Sequence, residues 1–140
     1  MSKTSKMRQT GCPISFSLDI FGDRWTLLIL RDLLLFGKKR YGEFLDSDER
    51  IASNILSDRL KRLEANGILQ RETNPEDGRQ AIYKATGKGK RLLPVLLEIA
   101  AWGASHDEGT SAPDGFVEAY FANREAFHKD HSSEMAKLKK

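Results

Sequence analysis

The chain has 140 residues, of which 39% are hydrophobic and 31% charged, and a net charge of +3. That is enough apolar material for one ordinary core and too little for two full domains, so a single domain with appendages is expected. The longest apolar-rich run, residues 25–36, is interrupted by Thr26, Arg31 and Asp32 and is shorter than the roughly 20 residues that a membrane span requires. With no secretory leader pattern either, a cytoplasmic protein is expected.

Residues 1–11 are polar and basic with no apolar period, and read as a flexible arm. Pro13 to Phe21 then mixes helical and alternating apolar spacing, and proline at a first helical position favours a short helix. Gly22-Asp23 breaks it. Asp23 suits the N-cap of the next helix, residues 25–36, which is apolar nearly all round, as a central buried helix would be, and ends at Gly37. Lys38, Lys39 and Arg40 form a basic turn, and residues 41–45 a short helix whose Tyr41 and Phe44 pack inward. A polar loop fills residues 46–50.

The following helix is the most informative element. Ser53 is the expected N-cap and Asn66-Gly67 the left-handed stop, about four turns later. At about 100° per residue, Leu56, Leu60 and Leu63 form one stripe, while Asn54, Ser57, Asp58, Lys61 and Arg62 fall opposite. One face is core and the other is free to touch something. Residues 68–73 read as a strand, 74–78 as a turn containing Pro75 and Asp77-Gly78, and 79–86 as the returning strand. The expected fold class is mainly α with a small β-hairpin, a winged helix-turn-helix with added N- and C-terminal helices.

Charge follows this segment. Residues 50–91 hold ten Lys/Arg against five Asp/Glu, a net of +5, whereas residues 92–140 have a net of −3. Duplex DNA attracts such a patch through release of condensed counterions; a solvated basic face is the plainer alternative. After the hairpin, Thr86 can cap another helix. Leu92, Leu93, Val95, Leu96, Ile99, Ala100 and Trp102 give it a broad apolar face, and Pro94 either bends it or marks its start. Residues 103–115 are rich in Gly, Ser, Asp and Pro, so the domain is drawn over residues 12–106 with a linker at 107–115. A last helix, from residue 116 to about 137, carries Phe116, Val117, Tyr120, Phe121 and Phe127. It either folds back over its own domain or packs on a second subunit.

Several motifs resemble the HxlR-type bacterial transcription regulators. They are Cys12-Pro13, the run from Ile20 to Leu33 containing Gly22-Asp23-Arg24-Trp25, Ile51-Ala52-Ser53-Asn54, and Leu60 and Leu63 with Gly67-Ile68-Leu69. Tyr83, Thr86, Lys88-Gly89, Leu92 to Leu96 and Trp102-Gly103 continue the match, over about residues 12–106. The resemblance implies a homodimer, joined through its terminal helices, that binds an inverted repeat at a promoter. The wing differs from the double-proline wing frequent in that family; its Asp77-Gly78-Arg79 is similar to the wing of MarR-type regulators.

In a helix-turn-helix the second helix enters the major groove, with its N-terminal residues reaching furthest. Ser53, Asn54, Ser57 and Lys61 are therefore the candidate base or groove contacts, with Arg62 suited to phosphate. Asp58 reads better as a surface ion-pair partner. Arg79 and Gln80 follow the wing tip, and Lys38, Lys39 and Arg40 could clamp flanking phosphates. Each basic side chain has an ordinary solvated role as its alternative.

Cys12 is the only cysteine, which excludes an internal disulfide. A helix N-terminus favours the reactive thiolate, and the resemblance implies a sensor of oxidants or electrophiles at this position; an inert small apolar residue is the other reading. A small-molecule effector at the dimer interface is a further one, with Trp25, Phe36, Trp102 and Phe116 either lining a pocket or packing in the core. His128 and His131 share a helical spacing, with Glu125 and His106 as conceivable companions, but a solvated tail explains them better than a metal site. No enzyme, cofactor or metal is expected. The competing class is a winged-helix module that binds protein without contacting DNA.

Overall fold

The computed structural model describes residues 10–73, 76, 78 and 80–129. Helix α1 is Pro13–Phe21, α2 Arg24–Leu34, α3 Tyr41–Leu45 and α4 Ser53–Ala65. Strands β1 (Leu69–Thr73) and β2 (Ala81–Ala85) follow, then α5 (Gly87–Lys90), α6 (Leu93–His106), α7 (Phe116–Ala122) and α8 (Arg124–Lys129). No helix among the described residues is long and apolar enough to cross a membrane.

Pro13 opens α1, where its missing N–H costs no helical hydrogen bond. Asp23 caps α2 by accepting from the Thr26 amide at 3.2 Å, and Arg59 of α4 reaches the same carboxylate at 3.0 Å. One aspartate thus starts one helix and anchors another. Burial opposes ionisation of Asp23, but the hydrogen bonds from Thr26 and Arg59 outweigh it and hold its carboxyl below the usual range. Helix α2 packs on α4, α6 and β2 and is the centre of the molecule. It is not apolar all round as expected: Ile29, Leu30, Leu33 and Leu34 are buried, and so is Asp32. Asp32 is tolerated because Arg31 holds its Oδ1 at 2.7 Å and Lys38 its Oδ2 at 3.2 Å.

Helix α4 and its cap begin one residue earlier than expected. Ala52 is the N-cap and Ser53 already helical, with no side-chain cap at this end. Its C-terminus does match: Gly67 has φ +74°, the Gly67 amide donates to Glu64, and the Ile68 amide donates back to Leu63. This is the Schellman arrangement, with Leu63 and Ile68 both buried beneath it. Leu56, Leu60 and Leu63 lie on the core side, and burial of each contributes roughly 1.5–3 kcal/mol.

The hairpin pairs antiparallel, Leu69 opposite Ala85 through Thr73 opposite Ala81. At its base each strand is one residue shorter than expected, β1 starting at Leu69 and β2 ending at Ala85. A third piece joins it: Arg40 forms a bridge with Ile82, and the Tyr83 amide donates to the Lys39 carbonyl at 2.8 Å. The basic turn is thus a short edge of the sheet. Together these elements make a winged helix-turn-helix, mostly helical with one two-stranded hairpin.

Thr86 caps a single turn, α5, through the Gly89 amide at 3.0 Å, and its hydroxyl donates to the Gly67 carbonyl at 2.6 Å. Pro94 stands in the first turn of α6, so it marks the start of that helix and bends nothing. Helix α6 continues to His106, past the point where the small-residue run began. Leu93, Leu96, Leu97 and Ala101 form its buried side, whereas Ile99 and Trp102 face solvent, at 51% and 67% exposure. The expected single terminal helix is two, broken at Asn123; residues 130–140 lie outside the described residues. Phe116, Tyr120 and Phe127 fold back into the core, and the Tyr120 hydroxyl donates to Glu98 of α6 at 2.9 Å.

Candidate nucleic-acid interface

Two short connections set the pose of α4. Tyr41 of α3 donates its hydroxyl to the Ser53 carbonyl at 3.0 Å and lies 3.1 Å from Ser57 Oγ. Arg31 of α2 grips Glu49, in the loop before α4, through both terminal nitrogens at 2.7 and 3.0 Å. That hydrogen-bonded pairing with Arg31 holds the Glu49 carboxyl below its usual value. Within the same loop Arg50 adopts φ 60°. Helix α4 is therefore held at its first turn by one hydroxyl and ahead of it by one ion pair, in addition to the Arg59–Asp23 pair farther along it.

On its outer face, Asn54 and Lys61 are exposed and Arg62 is exposed beside Asp58. Ser53 is exposed, with its carbonyl already engaged by Tyr41. Ser57 is half-buried, and its hydroxyl is shared with Tyr41. Asp58 sits 2.7 Å from Arg59 and 3.6 Å from Arg62, the surface ion pair expected of it.

The basic turn divides in two. Lys39 and Arg40 are exposed, and their amides donate to Glu43 Oε1 at 2.8 and 2.9 Å. Those two backbone hydrogen bonds hold the Glu43 carboxyl below its ordinary value. Lys38 instead turns inward to Asp32, so its ammonium serves the fold, and a phosphate clamp there would have to break that pair. Gln80 is exposed just ahead of β2, while Arg79 lies outside the described residues.

A groove between α3 and the base of the wing brings Arg40, Arg71 and Gln80 together. Arg71 was not among the expected contacts. Its only signal is position: it stands opposite Tyr83 in the hairpin, and β2 carries the bridge to Arg40 next to that residue. Tyr41 was likewise read only as a packing residue, because its polar partners lie 12 and 16 residues away.

Elsewhere, Cys12 is exposed and stands at the N-cap position of α1. Of the four aromatic residues considered for a pocket, Phe36 and Phe116 line one, of which Trp25 and Trp102 are not part. His128 meets the Tyr120 hydroxyl at 3.0 Å, and His131 is outside the described residues.

Residues 20–111 match the model of the HxlR-like helix-turn-helix family. The HTH-type transcriptional regulator YodB of Bacillus subtilis is 37% identical over 97 residues, covering 69% of this chain and 86% of YodB. Among solved structures, the redox regulator HypR in its oxidised form is 33% identical with a TM-score of 0.62, covering 69% of this chain and 98% of HypR. Quinone-bound YodB is 34% identical with a TM-score of 0.55, covering 67% and 98%. With that match over most of its length, joined to an exposed α4 face beside a hairpin wing, the chain belongs to the HxlR-like helix-turn-helix family of transcription regulators.

Proposed function

We propose that the protein is a sequence-specific DNA-binding transcription regulator that works in the cytoplasm as a homodimer on an inverted-repeat operator. The observation that carries this reading is the outer face of α4, where Asn54 and Lys61 stand exposed opposite the buried Leu56, Leu60 and Leu63. In the major groove Asn54 is suited to an adenine edge and Lys61 to guanine or phosphate. Ser53 and Ser57 lie close to the backbone of the groove wall, and Arg62 meets phosphate. Lys39, Arg40, Gln80 and Arg79 flank the helix along the duplex, the last entering the minor groove or bridging a phosphate. Arg71 joins them through the groove it shares with Arg40 and Gln80. Lys38 takes part only if it releases Asp32.

Cys12 acts in this reading as a sensor of oxidants or electrophiles. Its support is an exposed thiol at a helix start and relatives solved as an oxidised redox regulator and in a quinone-bound form. A small-molecule effector is a second route to the same switch.

The test begins with genomic footprinting, which supplies the operator, and continues with fluorescence anisotropy against that duplex over a range of salt. Binding is expected to weaken steeply with salt, and Arg79→Ala to reduce the slope by about one across sequences. Absence of salt-dependent duplex binding would instead favour a protein-binding module.

A further inference from the structure

A cavity of about 370 Å³ opens between α2, α6 and residues 110–113, with Leu27, Phe36, Leu96, Ile99, Gly103 and Phe116 among its walls. Its volume falls in the range of pockets that hold small ligands, about 300–1,000 Å³. Part of its wall, Pro113 and Phe116, lies beyond residue 111, where the family match ends, so the enclosure depends on this chain's own C-terminal segment. Two helices and a loop give it concave walls. A flat helix face of a second copy would leave it empty, whereas a compact ring system would fill it.

Among the described residues Arg31 is the only charged side chain in the lining, and its charge is already answered. Its Nε and one terminal nitrogen bond Asp32 at 2.9 and 2.7 Å, and both terminal nitrogens bond Glu49. A carboxylate ligand would compete with two carboxylates in place, so the lining suits a neutral molecule. Thr110 and Ser111 offer hydroxyls at the rim. The Arg31 guanidinium also lies 5.2 Å from the centre of the Phe36 ring. A ligand that pushes on Phe36 or Arg31 therefore pushes on Glu49, and Glu49 is two residues from the buried Ile51 that leads into α4.

We propose that this cavity is an effector site for a neutral, largely apolar molecule of one or two fused rings, and that α4 senses its occupancy through Arg31 and Glu49. The effect on operator affinity rests on the DNA-binding reading above; the binding site does not. Coupling of this kind requires only that the ligand favour one of two arrangements of the Arg31–Glu49 pair.

Indole serves as the neutral probe and indole-3-acetate as its anionic counterpart, each titrated calorimetrically into the full chain. Saturable indole binding is expected, at least tenfold tighter than indole-3-acetate. Gly103→Leu should abolish it without lowering the melting temperature, because Gly103 lines the cavity and a Cβ there meets nothing within 4 Å. Glu49→Gln should bind indole within about twofold of the parent yet lose the indole-induced change in operator affinity. No saturable binding, or equal binding by Gly103→Leu, overturns the site. Equal or tighter binding of indole-3-acetate overturns the neutral ligand class. Indole binding with no change in the parent's operator affinity overturns the coupling. A protein that binds indole but no duplex refutes the DNA reading and leaves the cavity standing.

Discussion

Tyr41 tethers the first turn of α4 through its hydroxyl. Tyr41→Phe keeps the ring, half-buried against the core, and removes only the bond to the Ser53 carbonyl and the contact with Ser57. A typical hydrogen bond contributes about 0.5–1.5 kcal/mol net, so urea denaturation should show a loss of that order. Operator affinity should fall as well, since the first turn of α4 loses its tether; unchanged affinity would mean that the Arg31–Glu49 and Arg59–Asp23 pairs set the pose without it. Cys12 makes a second demand at this scale. Diamide should weaken operator binding by the parent protein and leave Cys12→Ser unaffected, and equal sensitivity in both would remove Cys12 from the switch. Lys38 shows why single residues were hard to read in the sequence. In a run of three basic residues it looked like a phosphate ligand, and the aspartate that claims it lies six positions earlier on a different element.

Elements were far more legible than residues, because caps and apolar periods are local. Asp23, Thr86, Asn66-Gly67 and Pro13 each marked a boundary that the structure keeps. Ser53 misled because a good capping residue is not obliged to cap; here Ala52 carries the extended conformation and Tyr41 holds the turn. The break at Asn123 was invisible in the terminal segment, since Phe116, Tyr120 and Phe127 continue the apolar pattern on both sides of it. Gly89 was seen only as part of a motif, and its reason is tertiary. A Cβ there would collide with the Ile68 carbonyl oxygen at the base of the wing. Gly89→Ala should therefore cost more than about 3 kcal/mol, near the top of the single-substitution range. Gly87→Ala, two residues earlier in the same turn with nothing within 4 Å, should change stability by less than about 0.5 kcal/mol. Chemical denaturation of the pair checks this, and similar values for the two would mean that the wing base yields.

At the scale of the whole molecule, the described fold leaves apolar surface that it does not cover. Ile14 and Leu18 of α1 are 68% and 54% exposed, and Trp102 of α6 is 67% exposed. The sequence supplied these as apolar members of helices, and a reading of one chain assigns such members to one core; only coordinates separate the buried side of α6 from its outer one. Exposed large apolar groups on α1 and α6 suit an association surface, and two subunits joined there would present their two α4 helices to the two halves of a palindrome. Trp102→Glu is the sharpest probe, because the side chain contributes little to its own subunit's core. The variant should melt close to the parent at low concentration yet sediment as a monomer. Operator affinity should drop by about 100-fold or more, since binding the second half-site no longer follows from binding the first. A Trp102→Glu protein that still sediments as a dimer would move the interface elsewhere. A monomer with full affinity would show that one reading helix and one wing suffice, and the inverted repeat would lose its structural reason.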